Sequence, residues 1–389
     1  MLEKALYGSK RYYGLVALLA VIILIGLAAY LKQLNYGLGV TGLSRDVSWG
    51  LYISQFTFMV GVAASAVMVA IPYYLHDYKA FEKVVILGEF LAVSAVIVCI
   101  LFIFVDLGQP SRVFNVILHP TPSSMMFWDM CVLMGYLLLN IVIGWTVLGA
   151  EKKDVPPPSW AKVLAYISIP WAISIHTVTA FLYAGLAGRA YWLSAIMAAR
   201  FLASAFAAGP ALLIILCLIL RKYTSFKTSA EAIQSLAKIV CYAMIANVFF
   251  FGLEIFTAFY SNIPGHMAPF QYLFAGVDGY NNLVPAMWGF AILAVIGITM
   301  LVIPPLRKNE KTLIWALIAV FVAAWLDKGL GLVLGGFVPN PFGRVVEYYP
   351  TSTELAIVAG VYALGLLLLT ILYKVVVGVR AQTAVEVEH

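Results

Sequence analysis

The chain has 389 residues, of which 63% are hydrophobic and only 11% are charged, and its mean hydropathy is +0.97. Soluble domains carry roughly 25% charged residues, so this composition excludes an ordinary water-soluble protein. The formal net charge of +6 does not indicate nucleic-acid binding, because the basic residues follow the topology of a membrane protein.

Apolar stretches divide the chain into ten predicted transmembrane helices. A helix needs about 20 apolar residues to cross the hydrocarbon core of a bilayer. Stretches of that length lie at 11–31, 50–75, 84–105, 125–149, 162–187, 195–220, 236–260, 282–305, 312–335 and 353–378. The first stretch is too long for the core of a signal peptide, so we expect it in the mature protein. The sequence therefore predicts an all-α integral membrane protein.

Lysine and arginine residues are distributed unevenly between the two sides of these helices. Seventeen of the 24 lie on the side of the N terminus, six lie on the opposite side, and Lys328 lies within a span. Cytoplasmic loops carry the excess of basic residues in membrane proteins. This bias predicts that both the N terminus and, with an even number of helices, the C terminus lie in the cytoplasm.

The connections differ in character between the two sides. Those on the predicted outer side are long and rich in Gly, Pro, Asn and aromatic residues, and the main ones are 32–49, 106–124, 261–281 and 336–352. Long structured loops tend to carry function or to bind partners. We therefore expect the working face of the protein to be the outer one.

Two similar strings suggest an internal repeat within a single domain, 1–389. SSMMFWDMCVLMGYLLL (123–139) and LVPAMWGFAILAVIGIT (283–299) each begin an inward-running helix and place Met and Trp near the outer boundary. They predict two parallel four-helix bundles, 50–187 and 195–335, flanked by single helices. Chance similarity is the alternative, because tryptophan is common at membrane interfaces.

Cysteines and histidines lack the spacing of metal or haem ligands. The four cysteines lie far apart in apolar segments and form no CxxC motif: Cys99, Cys131, Cys217 and Cys241. Such residues are typically small buried hydrophobes rather than ligands. The histidines other than His176 lie at span ends, in loops or at the terminus: His76, His119, His266 and His389. We predict no metal, haem or iron–sulfur cluster in this chain.

Ionisable residues inside the membrane are functional candidates by default, because burying a charge in lipid is costly. The set within the spans is Glu89, Asp129, His176, Glu254, Asp327 and Lys328, with Asp106, Arg112 and Arg200 at the outer boundary. At about 1.5 Å per residue, most of these groups lie in the outer half of the bilayer. His176 lies near the middle, and Glu89 lies toward the cytoplasm.

Structural roles are the alternative for several of these residues. Asp129 is near a helix N terminus, where the helix dipole favours an anion and a serine can cap the helix. A Glu254–Lys328 ion pair would hold helices 7 and 9 together. Glu89 would reach toward Lys83 and the cytoplasm by snorkelling. His176, in contrast, is a poor choice for packing alone, and histidine suits proton exchange with a redox ligand.

Three strings resemble the NrfD/PsrC family, membrane subunits of prokaryotic respiratory complexes. They are DLGQPSRVFNVILHPTPSSMMFWD (106–129), HTVTAFLYAGLAGRAYW (176–192) and ARFLASAFAAGPALL (199–213). The resemblance covers helices 2–10 and is strongest to the DsrP type, which belongs to sulfite-reduction-associated complexes. It implies a multi-pass protein of the prokaryotic cytoplasmic membrane.

The resemblance also implies a function and partners. The expected function is electron exchange between menaquinol and an extracytoplasmic iron–sulfur protein in dissimilatory sulfur metabolism, with proton translocation left open. The other expected partners are a haem-containing membrane subunit and a cytoplasmic iron–sulfur subunit. This chain would be the metal-free subunit of a quinone oxidoreductase complex, and the residues do not establish whether it is an enzyme by itself.

The composition of the spans and the resemblance together assign roles to individual residues. We expect a menaquinone headgroup near the outer face, with His176 and Asp129 exchanging its protons. His176 matches a histidine implicated in quinol sites of family members. The residues expected to contact the ring are Trp128, Tyr183, Trp192 and Arg200, although some family members have proline at the position of Arg200. The expected proton path comprises Glu89, Glu254, Asp327 and Lys328.

Two functions of other classes compete with this hypothesis. A secondary transporter would also carry charges inside the membrane and internal repeats. Against it, no pair of helices broken by Gly or Pro stands out at matching positions of the two halves, and the polar groups cluster outward. A structural anchor that holds redox partners without binding quinone is the second alternative.

Overall fold

The structure is a computed structural model that describes residues 1–387, so His389 lies outside the described residues. Within them, ten helices are long and apolar enough to cross a membrane, which confirms the predicted all-α membrane fold. They are α1 (Lys10–Val40), α2 (Leu51–Leu75), α3 (Lys79–Asp106), α4 (Met125–Lys152), α5 (Ser159–Ala184), α6 (Met197–Tyr223), α7 (Ala230–Tyr260), α8 (Val284–Val302), α9 (Glu310–Gly335) and α10 (Ser352–Gln382). The last helix continues to Val387.

Several helices extend beyond the apolar stretches that predicted them. Helix α7 begins at Ala230 rather than 236, because Ser229 caps it by accepting a hydrogen bond from the Ala232 amide at 3.1 Å. Helix α1 likewise begins at Lys10, where the Ser9 hydroxyl accepts from the Tyr12 amide at 3.3 Å. Hydropathy locates the part of a helix in lipid, whereas caps fix its ends.

The helices form two groups of four with a flanking pair. Helices α2 to α5 pack together, as do α6 to α9, and α2 and α5 meet α6 at the interface between the groups. Helix α1 packs along α10, which in turn lies against α3. Helices α1 and α10 approach closely where Gly26 faces Gly360. A side chain at Gly26 would not fit there, because its Cβ would lie 2.6 Å from the Gly360 Cα. The predicted two-bundle architecture is confirmed, while the repeat relation between 50–187 and 195–335 stays a prediction.

Two of the helices contain irregular turns that the apolar stretches did not predict. In α2, the regular helix Leu51–Ala63 is followed by Ser65–Ala70 and then by wide π-helical turns at Ile71–Leu75. In α9, π-helical turns occupy Trp325–Gly331. Such turns are frequent at functional sites, and those in α9 contain Asp327 and Lys328.

We call the end of the molecule that carries the long loops the outer end, following the predicted orientation. The loop after α7 contains a helix, Pro264–Phe274. Glu347, in the loop before α10, accepts hydrogen bonds from the Tyr272 hydroxyl at 3.0 Å and the Asn282 amide at 2.7 Å. The outer loops are thus tied to one another above the bundles.

Reporter fusions test the predicted orientation. Fusions after Lys153 and Lys308 should show cytoplasmic activity, and a fusion near Asp278 should show external activity, because of the excess of basic residues on the N-terminal side. Paired phosphatase and fluorescent-protein reporters measure this directly. Cytoplasmic fluorescence from the Asp278 fusion would overturn the orientation.

Candidate functional site

An arginine joins three helices of the second bundle near the outer end. The Arg200 guanidinium on α6 donates to Glu254 on α7 at 2.5 Å and to Asp327 on α9. It also lies over the Phe251 ring, 4.5 Å from its centre. All three charged side chains are buried. The guanidinium suits this role because its planar fork can serve two carboxylates at once.

Lys328 completes the charge balance of this group. Its ammonium lies 4.0 Å from the centre of the Phe201 ring and 3.4 Å from the Phe201 carbonyl oxygen. The hypothesis that Lys328 pairs with Glu254 is wrong, because Glu254 pairs with Arg200 instead. With two basic and two acidic side chains, the group carries no net formal charge, which lowers the cost of burying it. We call Arg200, Glu254, Asp327 and Lys328 the ionic cluster.

A cavity of about 280 Å³ opens beside the ionic cluster at the outer ends of α6 and α7. Its wall includes Glu254 from the cluster, Tyr191 and Ser194 from the loop before α6, and His266 and Phe270 from the helix Pro264–Phe274. The wall is therefore mainly apolar with a few polar groups, as ligand-binding cavities usually are.

Two polar atoms of the cavity wall make no hydrogen bond within the described part of the chain. They are Oε1 of Glu254 and the hydroxyl oxygen of Tyr191, and both are closed off from solvent. Arg200 and Ser194 lie near them without completing a bond of normal geometry. Leaving a buried polar group unpaired costs about 1–3 kcal/mol. A ligand able to pair with these atoms would recover that energy.

The protonation state of Tyr191 follows from its surroundings. Burial raises the pKa of its phenol above the ordinary value, and the nearby positive charge of Arg200 only partly opposes this effect. Since an unperturbed tyrosine already titrates near pH 10, Tyr191 is a neutral hydroxyl at physiological pH. It can donate or accept one hydrogen bond in the cavity.

Tyr183 and Trp192, predicted as ring contacts, lie together in a closed aromatic group at the outer end. Trp192 stacks on Trp49 with ring centres 5.7 Å apart, meets Tyr183 at 5.2 Å and donates to the Leu332 carbonyl at 2.7 Å. The Tyr183 hydroxyl is hydrogen-bonded to Thr57. Both predicted residues are fully buried, so they pack against protein rather than line the cavity beside Glu254.

The third predicted ring contact, Trp128, is separate from this aromatic group. Its side chain is 46% exposed on the surface of the helix bundle, and its indole N–H donates to the Pro122 carbonyl at 2.8 Å. This position near the outer end of α4 is typical of the aromatic belts at membrane interfaces.

A second, shallower cavity of about 390 Å³ lies above the aromatic group. It is lined by Trp49, Trp192 and Phe337 together with the loop Gly185–Arg189. Arg189 lies over the Phe337 ring at 4.5 Å and donates to the carbonyl oxygens of Phe337 and Asp46 at 3.2 and 3.3 Å. This cavity is part of the outer surface, and its arginine is already held by protein groups.

Asp129 and His176, predicted to exchange protons with quinol, lie in the first bundle. The Asp129 carboxylate accepts from the Thr179 hydroxyl at 2.6 Å, so α5 holds it, and Ser124 makes no side-chain cap on α4. His176 is fully buried, and neither ring nitrogen has a hydrogen-bond partner in the described residues. Neither residue lines either cavity described above.

Glu89 lies apart from the other candidates, toward the cytoplasmic end of α3. It is 3% exposed, its Oε2 has no hydrogen-bond partner in the part described, and a Cβ at Gly144 of α4 would lie 3.2 Å from that oxygen. The snorkelling hypothesis is therefore wrong, because the carboxyl group does not reach solvent. A buried, unpaired acid of this kind is costly to keep.

The structure thus groups part of the predicted set and separates the rest. Arg200, Glu254, Asp327 and Lys328 lie together, whereas Asp129, His176 and Glu89 lie in the first bundle. Tyr191 was not predicted, although its position in the string AGRAYW beside the start of α6 was a possible signal. No group of three or more potential ligands suitable for a metal ion lies together among the described residues.

The comparison with protein families decides the kind of protein to which this site belongs. A model of the family described as polysulphide reductase, NrfD, matches residues 39–336. The chain belongs to the NrfD family. The matched region contains both helix bundles and every member of the ionic cluster, as well as the cavity beside it.

Curated NrfD-like proteins resemble the chain over most of its length. It is 26% identical to a putative membrane subunit of dimethyl sulfoxide reductase from Halobacterium salinarum, over 91% of this chain and 89% of that protein. It is 23% identical to the Hdr-like menaquinol oxidoreductase integral membrane subunit of Archaeoglobus fulgidus, over 93% and 92%. It is 20% identical to the menaquinone reductase integral membrane subunit of Nitratidesulfovibrio vulgaris, over 90% and 87%. The chain is therefore a multi-pass membrane protein similar to subunits of prokaryotic oxidoreductase complexes.

Proposed function

We propose that this NrfD protein is the quinone-reactive membrane subunit of a respiratory complex. It would exchange electrons between menaquinol, bound in the cavity beside Glu254, and an iron–sulfur protein docked on the outer loops. Two of the similar proteins carry menaquinol or menaquinone in their names, which supports a naphthoquinone as the substrate.

The observation that carries this proposal is the pair of unpaired polar atoms at one cavity. Glu254 Oε1 and the Tyr191 hydroxyl are buried without partners in the described residues, and both side chains line the same space of about 280 Å³. A quinol presents two oxygens on an apolar ring, so it can satisfy polar atoms while filling an apolar cavity. Phe270 and Leu253 supply apolar wall for the ring.

The groups around the cavity suit proton transfer from a quinol. Oxidation releases two electrons and two protons, and an acceptor must lie within hydrogen-bond reach of each departing proton. We assign one proton to Glu254 and the other to His266, which also lines the cavity. Arg200 holds the Glu254 carboxylate in place through its 2.5 Å bond. The two electrons pass to the cluster of the partner protein.

The context of the complex is a further part of the proposal. The resemblance to the DsrP type supports a role in dissimilatory sulfur metabolism, together with a haem-containing membrane subunit and a cytoplasmic iron–sulfur subunit. The outer loops support an extracytoplasmic iron–sulfur protein as the electron acceptor, because they are tied into a structured surface above the cavity.

Purification of the native complex tests the proposal. We expect naphthoquinone in organic extracts of the complex, and anaerobic addition of a menaquinol analogue should reduce the iron–sulfur clusters of the co-purifying subunits. Electron paramagnetic resonance of those clusters gives the readout. A complex that contains clusters but neither binds nor is reduced by the analogue would favour the structural anchor.

Proton translocation is a second proposed function, and a row of polar groups in the first bundle favours it. Asp129, Tyr136 and Asn140 are buried on one face of α4, and Gly144 on the same face adjoins Glu89. The spacing of seven, four and four residues keeps them aligned along about 22 Å of helix. We propose that Glu89, Asp129 and His176 carry protons through this bundle, and that Lys328 and Asp327 connect it with Glu254.

Substituting Glu89 by Gln tests this path. The change keeps the shape of a buried side chain but removes the proton that it can exchange, so quinol oxidation should continue while the number of protons moved per electron falls. Proteoliposomes with a trapped pH-sensitive dye measure that ratio. An unchanged ratio in Glu89→Gln would remove Glu89 from any proton path.

His176→Phe and Asp129→Asn separate two roles for these residues. Because the His176 nitrogens have no partner in the described structure, we expect His176→Phe to assemble normally. If both residues carry protons, turnover in uncoupled vesicles should stay near the wild-type value while proton transfer falls. If they instead accept protons directly from quinol, turnover itself should fall about 100- to 10,000-fold.

A further inference from the structure

We infer that the cavity beside Glu254 selects the reduced form of its ligand: it binds a hydroxyl-bearing quinol more tightly than the corresponding quinone. This preference rests on the proposed function, which places a quinone in the cavity. The preference would favour quinol oxidation over quinone reduction, and Glu254 is the residue to which we assign it.

Glu254 lines the cavity, and we place its carboxylate against the ligand because its Oε1 has no hydrogen-bond partner in the described residues. One oxygen, Oε2, accepts a charge-assisted hydrogen bond from the Arg200 guanidinium at 2.5 Å. An ionised carboxylate only accepts hydrogen bonds. The free oxygen, Oε1, therefore requires a donor from the ligand. A quinol has two O–H donors, whereas a quinone has only carbonyl acceptors.

The other possible hydrogen-bond donors on the cavity wall are the hydroxyls of Tyr191, Ser194, Thr257 and Ser261 and the ring of His266. Arg200 is the strongest donor nearby, but its two terminal nitrogens already serve Glu254 and Asp327, and its face is covered by Phe251. The Tyr191 hydroxyl, which has no hydrogen-bond partner in the described residues, can either donate or accept a hydrogen bond. A quinone could thus be satisfied at one of these donors, but a carbonyl oxygen placed at the Glu254 carboxylate would face a second acceptor.

The expected size of the preference follows from this mismatch. A hydrogen bond to a charged group is stronger than a neutral one, and two acceptors facing each other leave both unpaired. We expect the donor form to bind about 10- to 100-fold more tightly than the acceptor-only form. The bound product of quinol oxidation would then leave the cavity more readily than the substrate.

Isothermal titration calorimetry on the oxidised complex, with probes that do not react, measures this preference. The probes are a methoxynaphthol, which donates one O–H, the matching dimethoxynaphthalene, which only accepts, and dimethylnaphthoquinone itself. In the wild type, the naphthol should bind about 10- to 100-fold more tightly than the two acceptor-only probes. In Glu254→Gln the preference should fall to about onefold or reverse, because the glutamine amide can donate to a carbonyl or ether oxygen.

Two further variants keep the test decisive. Glu310→Gln is the matched control, because Glu310 is also a carboxylate paired with an arginine, Arg221, but at the cytoplasmic end; it should retain the wild-type preference. Tyr191→Phe serves if Glu254→Gln does not assemble. It should weaken the quinone more than the naphthol, because it removes a buried hydroxyl that can donate to a carbonyl and leaves the Glu254 carboxylate in place.

The outcomes distinguish the preference from the function on which it rests. Equal affinities of all probes for the wild type would overturn the preference and leave the quinone site in place. Failure of every probe to bind would overturn the quinone site itself. A preference for the naphthol that survives unchanged in Glu254→Gln, or one that Tyr191→Phe abolishes, would show that other groups set it and would contradict the role of Glu254.

Discussion

Replacing Glu254 by Gln is expected to lower quinol oxidation about 100- to 10,000-fold, the usual effect of losing a general base. The glutamine keeps the size of the side chain, and its amide oxygen can still accept the hydrogen bond from Arg200. Asp327 continues to balance the arginine charge. The complex should therefore assemble, so the loss would appear in turnover per assembled complex.

Steady-state oxidation of a menaquinol analogue, normalised to the iron–sulfur content of the purified complex, gives this quantity. Glu310→Gln is the control, since it removes a carboxylate from an arginine pair far from the cavity, and it should keep wild-type turnover. Near-normal turnover in Glu254→Gln would mean that another group accepts the quinol proton.

Replacing Arg200 by Met should have the largest effect on stability. Glu254 and Asp327 would both lose their ion-pair partner while remaining buried. Breaking a buried pair by removal of one member typically costs about 3–5 kcal/mol, and two carboxylates are affected here. We expect a marked loss of assembled complex and a lower unfolding temperature in detergent.

A charge-free combination provides the control for Arg200→Met. When Glu254→Gln, Asp327→Asn and Lys328→Met are added, no charged side chain of the ionic cluster remains, so most of the lost stability should return while quinol oxidation stays low. Fluorescence-detected size-exclusion chromatography after heating compares the variants. A single Arg200→Met variant as stable as the wild type would contradict the ion pairs of Arg200.

The fold was largely predictable from the sequence because lipid imposes a simple rule on it. Every span needs about 20 apolar residues, and that requirement located all ten helices. Helix ends were less predictable, since Ser9 and Ser229 cap α1 and α7 outside the apolar stretches. The wide turns at Trp325–Gly331 were not predicted, although this segment contains Gly329 and Gly331.

The candidate site was predictable in its members but not in its pairing. The cost of buried charge singled out Glu254, Asp327 and Lys328, and Arg200 was assigned to the ligand. Sequence spacing cannot show which cation faces which anion across helices, and the alternative that paired Glu254 with Lys328 was wrong. Tyr191 was missed because a tyrosine beside a membrane interface is common, and only the cavity distinguishes it.

The most direct test of the quinone site is photoaffinity labelling of the complex with an azido-naphthoquinone, followed by peptide mapping. We expect label on segments 190–196 and 253–270, which form the wall of the cavity, and we expect excess menaquinone to prevent it. Label confined to α4 and α5, around Trp128, Asp129 and His176, would contradict the proposed site and move the quinone to the first bundle.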